Sequence, residues 1–124
     1  MKMSAYDFSD LEPEDLIDEL YDELEPDGDL QKISALIEAG CDIHQGLPLL
    51  VAATVGNLEI VKLLVNAGVD VNKFDPDDDE TALFRAMFNG HQDVVEYLAS
   101  LTDQSLQEIA KERLKFNPPR PPTL

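Results

Sequence analysis

From Gly46 to Asn72 the chain reads GLPLLVAATVGNLEIVKLLVNAGVDVN, two apolar runs separated by Gly56 and followed by Gly68. Leu49, Leu50, Ala52 and Ala53 precede the first glycine. In the second run Ile60, Leu63 and Leu64 recur at i, i+3 and i+4, while Val61 and Val65 widen the stripe, as in a helix buried on more than one side. The pattern predicts two successive helices, with Leu63 among the buried positions. Neither helix can hide that much apolar surface alone, so the pattern calls for similar units elsewhere in the chain.

Two other segments supply them. GDLQKISALIEAGCDIH, from Gly28 to His44, sets Leu30, Ile33, Leu36, Ile37, Ala39 and Gly40 where Leu58, Val61, Leu64, Val65, Ala67 and Gly68 stand. TALFRAMFNGHQDVVEYLA, from Thr81 to Ala99, sets Ala82, Leu83, Ala86 and Gly90 on Pro48, Leu49, Ala52 and Gly56. Gly28, Gly56 and Gly90 read as the ends of three first helices and stand 28 and 34 residues apart, a period that signals a stacked-repeat architecture.

The units resemble ankyrin repeats, in which about 33 residues form a β-turn and two helices with a T-P-L-H-x-A signature. Leu47-Pro48-Leu49-Leu50 and Thr81-Ala82-Leu83-Phe84 match that signature, and Gly40-Cys41-Asp42-Ile43-His44 and Gly68-Val69-Asp70-Val71-Asn72 match the family's G-A-D-V-N ending. The resemblance covers about residues 28 to 101. It implies an all-α fold, an ankyrin-repeat solenoid of stacked helix-turn-helix pairs with a short β-turn finger. Two departures stand out. The connection from His44 to Leu47 leaves almost no room for a finger, whereas Lys73 to Glu80 makes an overlong acidic one. Leu50 and Phe84 replace the signature histidines, so apolar packing or an apolar contact surface is expected in place of their hydrogen bonding.

Outside the repeats, Pro13-Glu14-Asp15 reads as a helix start, because proline suits the first turn and carboxylates complement the helix dipole. Leu16, Ile17, Leu20, Tyr21 and Leu24 follow as one apolar stripe, the mark of a terminal cap with one docked face. Tyr6, Phe8 and Leu11 either fold back on this helix pair or form a short partner-binding segment. At the other end Thr102-Asp103 can cap a helix over Gln104 to Lys115, with Leu106, Ile109, Ala110, Arg113 and Leu114 on one face. The expected organisation is an acidic segment (1–12), a repeat domain (13–115) and a Pro-rich tail (116–124). The repeat domain divides into a capping repeat (13–44), two repeats (45–72 and 73–101) and a capping helix (102–115). The tail contains PxxP spacings, which suit either an extended segment or a ligand for a proline-recognition groove.

Charge changes the picture more than length does. The 124 residues suffice for one domain, and 44% hydrophobic content favours a packed core over disorder. The net charge is −17, and twelve acidic residues with no Lys or Arg lie between Asp7 and Asp29. Such a surface is repelled by phosphate backbones and anionic lipid, which argues against nucleic-acid or membrane binding and for a basic protein partner. No apolar run approaches the ~18 residues of a membrane span, and no signal peptide is evident, so a cytoplasmic location is the expectation. Cys41, alone, excludes an internal disulfide and reads as a buried small residue.

Catalytic and metal chemistry finds no foothold. GxSxG, GxxxxGK[ST] and GxGxxG are absent, and one cysteine with His44 and His91 does not make a zinc site. Asp75, Asp77 and Asp79 alternate like the start of a calcium loop. The sixth and twelfth positions are Glu80 and Ala86, however, where that loop needs Gly and Glu. Neither an enzyme, a cofactor nor a metal site is expected.

The family resemblance implies a protein-binding module that uses its finger and first helices. On matching positions this surface comprises Phe74, Asp75, Asp77, Asp78, Asp79 and Glu80 of the finger, with Val51, Thr54, Val55, Arg85, Phe88 and Asn89 of the inner helices. Phe74 and Phe88 are the expected apolar anchors, since aromatics tend to dominate interface energies. The expected form is a monomer with a basic protein partner. Alternatives are an immunity or inhibitor protein that blocks the nucleic-acid site of a basic nuclease or toxin, and an assembly factor for a basic subunit.

Overall fold

The computed structural model describes residues 8, 10–43, 48–73 and 80–116, and of Pro13, Arg113 and Phe116 the backbone alone. Expectations about Tyr6, the connection 44–47, the finger residues 74–79 and the tail residues 117–124 lie outside the described residues.

Seven helices, and no strand, stand among the described residues. They are α1 Pro13–Asp22, α2 Leu30–Glu38, α3 Pro48–Val55, α4 Leu58–Asn66, α5 Ala82–Phe88, α6 Gln92–Ala99 and α7 Gln104–Phe116. They stack in two rows. In one row α3 packs on α5 and α5 on α7; in the other α2 packs on α4 and α4 on α6; and the pairs α1/α2, α3/α4 and α5/α6 close each unit. This is the all-α repeat solenoid that the spacing and signature imply.

One continuous core runs through the stack. Leu20, Ile33, Leu36, Ile60, Val61, Leu64, Val94 and Leu98 have almost no exposed surface, and Ala52, Ala53 and Ala86 let the first helices approach closely. Leu50 and Phe84, in the signature-histidine positions, are buried packing residues rather than a contact surface. Leu63 is a correction: it is half-buried, because α4 turns it toward the rim of the core while Ile60 and Leu64 face inward.

The terminal elements bury less than their stripes suggest. Leu16, Leu20 and Leu24 are buried, but Ile17 is half-buried and Tyr21 is 37% exposed. On α7, Ala110 is buried and Leu106 and Leu114 are half-buried, while Ile109 is 48% exposed. A cap meets the array on one side, so residues one position off the central line of the stripe are only partly covered. Phe8 and Leu11 do fold back onto the core, and the Leu11 amide donates to the Phe8 carbonyl at 3.0 Å.

Gly28 also differs from expectation. Helix α1 closes at Asp22, six residues earlier in the chain, and Gly28 follows a turn rather than ending a helix. A Cβ at Gly28 would overlap the Glu23 carbonyl, so close backbone approach is what requires glycine there. Thr102, expected as part of a cap for α7, is buried and donates its hydroxyl back to the Leu98 carbonyl at 2.8 Å. Helix α7 is tied down instead by Gln107, whose amide donates to the Ala99 and Thr102 carbonyls at 2.9 Å each.

Candidate partner-binding surface

Helices α3 and α5 carry the described part of the surface that the family resemblance implies. Thr81 starts α5: its hydroxyl accepts from the Phe84 amide at 3.3 Å, satisfying one of the unpaired donors at the helix start. Gly90 ends α5 in the left-handed region, φ +75°, and the His91 amide bonds the Ala86 carbonyl at 3.0 Å, the closing bond of a Schellman turn. Helices α3 and α5 pack on each other, and Val51, Thr54, Val55, Arg85, Phe88 and Asn89 are half-buried residues beside their buried registers.

The polar members of this set turn inward. The Thr54 hydroxyl donates to the Leu50 carbonyl at 2.8 Å, and the Asn89 amide donates to the Arg85 carbonyl at 2.8 Å. Arg85 Nε lies 2.8 Å from Glu80 Oε1, and both side chains are about three-quarters covered. Glu80 thus stands beside α5 as a neutralised pair rather than as a free carboxylate. Val51 packs on the core, Val55 is half-buried, and Phe88 stacks on Phe84 with ring centroids 5.9 Å apart. Arg85 is the one charged residue on α3 or α5. Glu80, Val51, Thr54, Val55, Arg85, Phe88 and Asn89 are therefore placed, whereas Phe74, Asp75, Asp77, Asp78 and Asp79 lie outside the described residues.

Sequence reading missed the polar straps between units. The residues after Gly56 and Gly90 hold their units to the ones before. Asn57 accepts from the Ile60 amide at 3.2 Å and donates to the Glu25 and Pro26 carbonyls at 3.2 and 3.0 Å, joining α4 to the turn after α1. His91 Nε2 lies 2.9 Å from the Thr54 carbonyl, joining the third unit to α3; a carbonyl only accepts, so Nε2 carries the proton. Asp29, with no complete unit before it, caps its own helix by accepting from the Gln31 and Lys32 amides at 3.0 and 3.1 Å. The shared position after Gly28, Gly56 and Gly90 was the available signal. Further along, Asn72 accepts from the Asp103 amide at 3.0 Å, and Lys62 lies 5.8 Å from the Tyr97 ring centroid between α4 and α6.

Among the described residues no three His, Cys, Asp or Glu side chains gather as a metal site requires, and no helix is long and apolar enough to cross a membrane. Cys41 is buried; desolvation, reinforced by the neighbouring Asp42 charge, raises its thiol pKa.

A family model described as ankyrin repeats, in three copies, matches residues 24–108. The match begins after α1 and ends within α7, so both terminal helices fall wholly or partly outside the family pattern. Several curated proteins are similar over shorter stretches. Ankyrin repeat and SAM domain-containing protein 6 of Rattus norvegicus is 43% identical over 51 residues, which is 41% of this chain and 6% of that protein. Serine/threonine-protein kinase 12 of Arabidopsis thaliana is 37% identical over 93 residues, 75% of this chain and 19% of that protein. The Notch-regulated ankyrin repeat-containing protein of Homo sapiens is 54% identical over 43 residues, 35% of this chain and 37% of that protein. The chain thus spans a small part of the length of each. Its repeats indicate a module for protein–protein interaction, and the chain belongs to the ankyrin repeat family.

Proposed function

We propose that this chain is a monomeric, non-catalytic, cytoplasmic binding module that takes a basic protein partner on its acidic finger and inner helices. The carrying observation is the division of labour on that surface. Helices α3 and α5 bear a single charged residue, Arg85, which is already paired with Glu80, so they offer apolar contact around Val55 and Phe88. Electrostatic selection then falls to Asp75, Asp77, Asp78 and Asp79, with Phe74 as a further anchor. Carboxylates at the rim of an interface act mainly on encounter rate and partner choice, while desolvated aromatics hold the complex. The net charge of −17 disfavours acidic surfaces and favours Lys- and Arg-rich ones.

The test is affinity capture by the full chain from source-cell extract at about 50 and 500 mM NaCl, followed by mass spectrometry. Basic proteins should be retained at the lower salt and released at the higher. Replacing Asp77, Asp78 and Asp79 together by Ser should abolish retention while leaving the melting temperature unchanged or raised, because three like charges are removed. Undiminished capture would take the finger out of the mechanism. If the captured partner is a nuclease that loses nucleic-acid binding on mixing, the module acts as an inhibitor.

A further inference from the structure

Helix α1 carries an unusual load. Glu14, Asp15, Asp18, Glu19 and Asp22 occupy half of its ten residues. Glu14–Asp18, Asp15–Glu19, Asp18–Asp22 and Glu19–Glu23 are like-charge neighbours at i,i+4, each of which weakens a helix. Asp22 and the C-cap Glu23 sit at the negative pole, the last turn holds no basic residue, and Glu12 makes no side-chain capping bond at the other end. Against this, Leu16, Leu20 and Leu24 are buried in the common core.

Among the described residues, Lys32 ties α1 to α2. Lys32 of α2 is the only Lys or Arg between Met3 and Val61. Its Nζ lies 2.8 Å from Glu19 Oε2 and 3.3 Å from Glu23 Oε2, and its side chain is 20% exposed. Glu23 extends the connection, since its Oε1 accepts from the Asp29 amide at 3.0 Å, at the start of α2. The Glu19 carboxylate above all, with help from Glu23, raises the Lys32 ammonium above the usual lysine range despite an opposing desolvation.

We infer that α1 is a latch, closed on the array by Lys32 and loaded by its own carboxylates, which opens as a unit while the repeats behind it stay folded. Losing the Lys32 charge releases the latch; losing a carboxylate of the ladder tightens it. Opening uncovers the side of α2 that α1 covers, leaving the surface on α3 and α5 in place. The latch is thus independent of the binding surface proposed above.

Hydrogen exchange read by mass spectrometry on the full chain tests this. In the wild type, α1 amides should be protected relative to an unstructured peptide but exchange faster than α4 amides. Equal protection of α1 and α4 would overturn the latch. Lys32→Gln should speed exchange in α1 about fivefold with α4 and α6 unchanged, and Lys32→Arg should restore it. Faster exchange throughout, or none in α1, would overturn the role of Lys32. Asp18→Asn, which removes two like-charge neighbours, should slow α1 exchange about threefold; unchanged or faster exchange would show that the carboxylate ladder is not a load.

Discussion

At Gly56 a backbone turn and an imidazole share one small space. The glycine has φ +87°, and a Cβ built there would run into the His91 ring, whose Nε2 bonds the Thr54 carbonyl at 2.9 Å. Gly90 has nearly the same backbone, φ +75°, but nothing lies within 4 Å of the position its Cβ would take. The two glycines therefore separate backbone strain from crowding. Gly90→Ala should cost about 1–2 kcal/mol, the cost of a left-handed residue with a side chain. Gly56→Ala should cost about 1 kcal/mol more, since the imidazole must leave and its hydrogen bond with it. Urea denaturation of both variants measures the difference; equal losses would show that His91 moves aside freely and that its strap contributes nothing.

Between elements, the strap at Asn57 has two functions that mutation can divide. Its oxygen caps α4 through the Ile60 amide, and its nitrogen reaches the Glu25 and Pro26 carbonyls of the preceding unit. Asn57→Ala removes both and should cost about 2 kcal/mol. Asn57→Asp keeps the cap but sets an acceptor against two carbonyls, so it should also destabilise, by about 1 kcal/mol in urea denaturation; a neutral Asn57→Asp would assign all the stability to the cap. Sequence periodicity located α2 to α6 because each packs on at least two other helices, so most of its apolar stripe meets a neighbour. It overestimated α1 and α7, each of which packs mainly on one other helix, so that Tyr21 and Ile109 belong to the stripe yet stay 37% and 48% exposed. The straps escaped it because Asp29, Asn57 and His91 share a position without sharing a chemistry. The candidate surface on the inner helices comes from family resemblance alone; that Thr54, Asn89 and Arg85 turn their polar groups onto their own unit depends on hydrogen-bond directions that spacing does not encode.

For the whole molecule, the same charge opposes folding and, in the function proposed above, favours binding. A compact chain of this length has a radius of gyration of about 14 Å, so at 10 mM ionic strength, where the screening length is about 30 Å, every carboxylate feels all the others. At 150 mM the length falls to about 8 Å, and only near neighbours such as those along α1 still interact. Favourable pairs exist, among them Lys32 with Glu19 and Glu23 and Arg85 with Glu80, but they are short and partly covered, and so lose less to screening than the long-range repulsion does. The melting temperature should therefore rise by about 3–6 °C between 10 and 150 mM NaCl, the shift that about 1 kcal/mol produces in a domain of this size. Capture of a basic partner should weaken over the same range. Calorimetry of the free chain and of the complex separates the two responses: salt must stabilise the first while reducing the extra stability that the partner adds. A free chain whose melting temperature falls with salt would mean that its ion pairs outweigh a net charge of −17, and that its acidity is better matched within the fold than its sequence implies.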